Sequence, residues 1–201
     1  MKGTTPMKKL LITGFDPFGG ESLNPSWEAV RLLPDTIGQW QLTRLMLPTV
    51  FGEAAAAVLA AAEKLQPDAV VCIGQAGGRS GITPEVVGIN LREARIPDNA
   101  GQQPINQPVI PGAPAAYFAT LPVRSMVAAM QEEGIACALS YTAGAFVCND
   151  VLYTLLNRFD GSGVQAGFVH VPFLPEQAKE GQPSMPLADM VRGLAAAITA
   201  I

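Results

Sequence analysis

An α/β fold, one mostly parallel twisted sheet with helices on both faces, is what the sequence predicts, and three observations carry the prediction. Short apolar, strand-like runs alternate with helical segments along the chain, the order that covers a sheet with helices on each side. Of the 201 residues, 49% are apolar and only 15% charged, against about 25% charged in an average soluble domain, so the chain can fill a substantial core and is not disordered. No linker, composition break or internal repeat divides it, which predicts a single domain over residues 1–201, with residues 1–7 as a loose amino-terminal extension.

The elements follow in order. Lys8 to Thr13 is an apolar run closed by Gly14, the pattern of a buried strand feeding a loop. That loop, Gly14 to Gly20, sets Phe15 and Phe18 among turn residues. Ser26 to Leu33 reads as a helix begun by Pro25 and Ser26 and stopped by Pro34. Leu42 to Leu47 alternates as a strand, and Val50 to Leu65 is a long helix of strong formers. Ala69 to Ile73 is a second buried strand, ending in the glycine-rich loop Gly74 to Arg79. Glu85 to Leu91 is rich in β-formers, and Pro97 to Pro114 is crowded with Pro, Gly, Asn and Gln, which predicts a long ordered loop. Val123 to Glu133 is helical up to Gly134. Ala136 to Tyr141 is strand-like and broken by Thr142-Ala143-Gly144 before a helix from Cys148 to Arg158. Gly167 to Val171 is a further strand, and Leu187 to Ala200 a final helix.

Composition also removes function classes. The longest apolar run, Ala54 to Ala62, is too short to span a bilayer, so no membrane partner is expected. Met1 to Pro6 has no apolar export-signal stretch, which predicts a cytoplasmic location. The net charge of −4 and the lack of any basic run speak against nucleic acid. Three cysteines, Cys72, Cys137 and Cys148, form no CxxC pair, so neither a disulfide framework nor a metal site is expected. Low charge with high apolar content predicts a homo-oligomer.

Three positions stand out. Cys148, just past a strand and at the opening of a helix, would feel the positive end of the helix dipole, which favours a nucleophilic thiolate; the plain alternative is a small core residue. Cys72 and Cys137 sit inside apolar strands and read as core. His170, the only histidine, lies near the carboxyl end of a strand, where open α/β sheets place their sites. A histidine in an apolar strand is also commonly a satisfied core residue, but a Cys–His pair could meet here on neighbouring strands. Glu85 lies between Pro84 and Val86-Val87, where a carboxylate needs a partner. It is either a surface residue at a strand's start or the acceptor that orients His170.

The glycine-rich loops GFDPFGG and GQAGGRSG match neither GxGxxG nor GxxxxGK[ST], and Asp16 would repel a phosphate, so no nucleotide cofactor is expected. Phe15 and Phe18, with Phe146 beside the cysteine, suggest an apolar slot for a small flat group.

Four segments resemble the pyroglutamyl peptidases, also called pyrrolidone-carboxylate peptidases. These are LLITGFDPFGGESLNPSWEAV (Leu10 to Val30), GQAGGRSGITPEVVGINLREARIPDN (Gly74 to Asn99), SYTAGAFVCN (Ser140 to Asn149) and HVPFLPEQ (His170 to Gln177). The resemblance implies a single-domain open α/β/α sandwich, often a homotetramer, with no cofactor. It assigns Cys148 as nucleophile, His170 as base and Glu85 as its orienting carboxylate. It places Phe15, Phe18, Asn24, Gln75, Phe146 and Val147 at the lactam pocket, and Arg95 with the Cys148 N–H at the oxyanion. The chain departs from the family at Val86 and Gly88, where members usually carry a basic residue and an alanine. The implied activity is release of an amino-terminal pyroglutamyl residue from peptides through an acyl-enzyme. The rivals are a catalytically silent member that only binds pyroglutamyl termini, and a nucleoside-binding transferase on a similar sheet.

Overall fold

The computed structural model describes residues 7–201. Most of the expected amino-terminal extension therefore lies outside the described residues; Met7 itself is non-regular and exposed.

The chain runs β1 (Lys8–Phe15), α1 (Pro25–Leu32), β2 (Thr36–Ile37), β3 (Trp40–Leu47), α2 (Glu53–Leu65), β4 (Ala69–Gln75), β5 (Thr83–Pro84), β6 (Val87–Ile89), β7 (Ala116–Phe118), α3 (Val123–Glu132), α4 (Val147–Phe159), β8 (Gln165–Val171) and α5 (Leu187–Thr199). Six strands form one sheet in the order β2-β3-β1-β4-β8-β5. Its inner four, β3, β1, β4 and β8, are parallel, while the short edges β2 and β5 run antiparallel. β6 and β7 form a separate antiparallel pair.

Alternation along β1 divides the core. Leu10 and Ile12 point to the face covered by α1, α3 and α5, packing with Val30, Met126 and Leu194. Leu11 points to the face covered by α2 and α4, with Val58, Val151 and Leu155. The central strands are apolar on both faces because both are covered. Asn24 caps α1 by accepting the Ser26 N–H at 3.1 Å, and Pro25 takes the first helical position, where its missing N–H costs nothing. Among the described residues no helix is long and apolar enough to cross a membrane.

Ala136 to Tyr141 does not form the expected strand. Ile82 exchanges bonds with it (Ile82 N–H to Ala136 O, 2.9 Å; Ala138 N–H to Ile82 O, 3.1 Å), and Pro84 and Val86 bond Ser140 further along (Ser140 N–H to Pro84 O, 2.9 Å; Val86 N–H to Ser140 O, 2.8 Å). Only isolated bridges result, Ile82 with Cys137 and Glu85 with Ser140. The bond that would join them is the one from residue 84, and Pro84 has no N–H to give. Glu85 to Leu91 is likewise divided, with only Val87–Ile89 a strand.

Candidate active site

A cavity of about 340 Å³ opens at the carboxyl ends of β1, β4 and β8, where open parallel sheets place their ligands. Phe15, Phe18 and Phe146 line it with Asn24 and Gln75, and it also reaches Cys148 and His170. Phe146 stands edge-on to Phe51, ring centroids 5.2 Å apart, and Phe18 lies 6.2 Å from Phe146, so these rings brace one another.

His170 sits one residue from the end of β8, paired with Gly74 on one side and Thr83 on the other. Just past β5, the Glu85 N–H bonds the Phe168 carbonyl at 2.9 Å, which holds the Glu85 side chain beside β8. Its Oε1 then lies 2.7 Å from His170 Nδ1, with Glu85 fully buried and His170 nearly so. Glu85 does not line the cavity; it stands behind the imidazole.

The charge states follow from these contacts. Burial opposes ionisation of Glu85, but the hydrogen bond from His170 Nδ1 and the charge of the Arg79 guanidinium outweigh it and hold its carboxyl below the usual range. An ionised carboxylate only accepts, so Nδ1 carries the proton and Nε2 is left with a lone pair. Burial lowers the His170 pKa, against the pull of Glu85, so the resting imidazole is neutral.

Cys148 occupies the first turn of α4, as its place in the sequence suggested. The thiol nevertheless does not rest as a thiolate. Burial, followed by the negative charge of Glu85 and the neighbouring Cys72, pushes it up to about 12, and Arg79 and its own backbone N–H act the other way without prevailing. The helix dipole falls short because desolvation of a thiolate is the larger effect here. The first main-chain bond of α4 runs from the Asp150 N–H to Phe146 O at 3.1 Å, so the N–H groups before it, that of Cys148 among them, have no backbone acceptor.

Neighbouring side chains fix the start of α4. Asn149, fully buried, accepts from Ile89 N–H at 3.0 Å and donates to the Ile89 and Leu91 carbonyls at 2.9 and 3.0 Å. Asp150, also fully buried, accepts from Arg92 Nε at 2.6 Å and from the Gly52 N–H at 2.8 Å. Across the mouth, Asp16 Oδ1 accepts from the Thr49 N–H and hydroxyl, each at 2.7 Å, tying the first loop to the chain before α2.

Of the residues picked out in the sequence, Phe15, Phe18, Asn24, Gln75, Phe146, Cys148 and His170 meet at one cavity. The Asn24 carboxamide is already engaged, donating to Asp16 O at 2.9 Å and accepting from Ser26 N–H and Oγ, so its part is to shape the loop. Val147 is fully buried in the core between the sheet and α4, and does not line the cavity. Arg95 is exposed on its loop and does not line it either. Arg79 is the residue sequence reading passed over. It donates to Glu85 Oε1 at 2.7 Å, to Thr83 Oγ1, and to Thr142 O at 3.0 Å. Its signal was present: a buried carboxylate calls for a cation nearby. Among the described residues no cluster of three His, Cys, Asp or Glu could hold a metal ion.

A family profile described as Pyroglutamyl peptidase matches residues 8–201. Pyrrolidone-carboxylate peptidase of Levilactobacillus brevis is 52% identical over 96% of this chain and 97% of its own length. That of an Enterobacter species is 50% identical over 96% and 92%. Among solved structures, pyroglutamyl peptidase I of Bacillus amyloliquefaciens superposes with a TM-score of 0.92 at 47% identity, covering 96% of each chain. A mutant pyrrolidone carboxyl peptidase from the hyperthermophile Pyrococcus furiosus gives 0.89 at 39%, covering 96% and 97%.

Proposed function

The chain belongs to the pyroglutamyl peptidase family, and from that premise we propose that it is a cysteine peptidase releasing the amino-terminal pyroglutamyl (5-oxoprolyl) residue of peptides through Cys148, His170 and Glu85. The observation that carries the reading is the 2.7 Å Glu85–His170 contact directly behind a cavity that Cys148 also lines.

In the resting site both thiol and imidazole are neutral. As the Cys148 sulfur attacks the pyroglutamyl carbonyl, its proton passes to His170 Nε2. The imidazolium so formed faces the Glu85 carboxylate, which stabilises it and keeps the ring in the working tautomer. The carbonyl oxygen, now negative, is met by the Cys148 N–H at the positive end of α4. His170 returns the proton to the departing amine as the C–N bond breaks, leaving a thioester. Water then attacks that thioester, giving its proton to His170, and the sulfur leaves and is reprotonated. A raised thiol pKa suits this order, since proton transfer and attack are coupled.

Selectivity has a physical basis in the lining. The lactam is neutral and flat, and the phenylalanine walls with Gln75 accept it. Among the described residues no aspartate or glutamate lines the cavity, so an ordinary ammonium terminus would lose its hydration and meet no counter-charge.

Three free thiols suit a reducing compartment, and the cytoplasm is the proposed location. Phe118, Ile105 and Tyr141, all more than 60% exposed, support a homo-oligomer, tetrameric by the family resemblance.

The test is release of a chromogenic amine from its pyroglutamyl derivative, with the glutamyl derivative as control, under reducing conditions. Turnover of the first alone is expected. Binding of a pyroglutamyl peptide without turnover would favour the silent member instead.

A further inference from the structure

Arg79 bonds Glu85 and lines the cavity that Cys148 and His170 share. We propose that Arg79 is a positioning residue, whose guanidinium, bridging the Glu85 carboxylate to the Thr142 carbonyl, sets the charge balance of the Glu85–His170 pair and holds the loop leading to Cys148. The proposal rests on the reading of Glu85, His170 and Cys148 given above.

Glu85 is fully buried, and a carboxylate there is costly unless paired. Its Oε1 takes two charge-assisted contacts, from His170 Nδ1 and Arg79 Nη1, both at 2.7 Å, while Oε2 is buried without a partner. Arg79 thus acts on the same oxygen as the imidazole. The Arg79 side chain is 25% exposed and also lines the cavity, so it carries positive charge from the solvent side to the acid behind the base.

Without that charge, Glu85 would be an uncompensated anion beside His170, and its easiest relief would be to draw a proton onto the imidazole. A protonated imidazole cannot take the thiol proton. Around the Glu85 carboxylate stand His170, Arg79 and Ser140, and around the imidazole Glu85 and Arg79. Around the thiol they are Glu85, Arg79 and Cys72. In each set Arg79 is the only fixed positive charge. It favours neutral His170 and opposes the burial that raises the thiol. Its second arm reaches Thr142 O, which Ser140 Oγ also bonds at 3.1 Å, at the start of the Thr142–Gly144 turn that feeds α4.

Because His170 is the only histidine, its imidazole resonances in untagged protein titrate without ambiguity and without turnover. The experiment compares wild type, Arg79→Gln, Arg79→Lys and Glu85→Gln by histidine NMR titration and by kcat/KM against pH on a pyroglutamyl amide. In Arg79→Gln the His170 pKa rises by about one unit or more, and the acid limb of kcat/KM moves up with it. Arg79→Lys keeps the charge and holds both near their wild-type positions. An imidazole pKa unmoved by Arg79→Gln overturns the proposal, as does one displaced as far by Arg79→Lys as by Arg79→Gln. Should Arg79→Gln fail to fold, Arg79→Lys decides alone: a limb displaced by about a unit despite retained charge overturns the proposal. Wild-type turnover by Glu85→Gln would instead refute the reading of the three reacting residues, whatever Arg79 does.

Discussion

Gly74 on β4 lies against Phe168 of β8 and Cys148 of α4. A methyl group there would stand 2.7 Å from ring carbons of Phe168 and 3.0 Å from the Cys148 sulfur. The Phe168 ring in turn lies tilted against that of His170, centroids 4.8 Å apart. Gly74→Ala therefore pushes on thiol and base together. It should cost about 1–3 kcal/mol of stability through overpacking. Displacement of the reacting atoms by about 1 Å should lower kcat/KM about a hundredfold. Urea unfolding and steady-state kinetics on one preparation check both; unchanged kinetics would mean the neighbours yield freely. At this scale the sequence was informative where residue types were rare or out of place: one histidine, a cysteine at a helix start, a glutamate in an apolar run. Arg79 gave less away, since an arginine after glycines reads as an ordinary loop cation until its buried partner is seen. Val147 and Arg95 rest on the resemblance alone, and neither side chain lines the cavity.

The helices were legible because their signals are local. Pro25 and Asn24 open α1, and the alanine-rich run fills α2. The first turn before α2 was overextended in sequence, because Gly52 at a φ of 76° begins the helix at Glu53. Strands depend on partners, and there sequence reading lost ground. β2 and β5 have two residues each, too few to carry a period, and the Ala136–Tyr141 ladder is interrupted by a proline on the other strand. The seating of α4 depends on Asn149, which satisfies backbone groups of Ile89 and Leu91 that lie in the interior. Asn149→Ala should leave them unpaired and cost about 2–3 kcal/mol, seen as a lower urea midpoint at unchanged slope. Asn149→Asp should restore little, because a carboxylate cannot donate to the two carbonyls.

For the whole molecule, buried titrating groups set the pH range of stability. His170 has its pKa lowered by burial, so the unfolded chain binds a proton that the folded one refuses. Stability is therefore lost as the pH falls from about 6.5 toward the folded value. Glu85, also lowered, adds a further loss as the pH falls below about 4.5. Cys72 and Cys148 are both pushed up to about 12 by burial, so on the alkaline side the unfolded chain releases protons that the folded one keeps. Stability should fall above about pH 9, by at most about 2.7 kcal/mol per pH unit for two thiols. Cys148 opens onto the cavity, so its share is the smaller. Urea midpoints from pH 5 to pH 10 should give a plateau between the two limbs, and Cys72→Ala should flatten the alkaline one. A flat alkaline limb in the wild type would mean that the thiols ionise freely in the fold.

Whether Cys148 forms a covalent bond to the pyroglutamyl group is read by acid-quenching the enzyme within its first turnovers on a pyroglutamyl ester and mapping the adduct by mass spectrometry. A pyroglutamyl thioester is expected on Cys148 alone, absent from Cys148→Ser, with Cys72 and Cys137 unmodified. An adduct on another residue, or turnover surviving in Cys148→Ser, would contradict it.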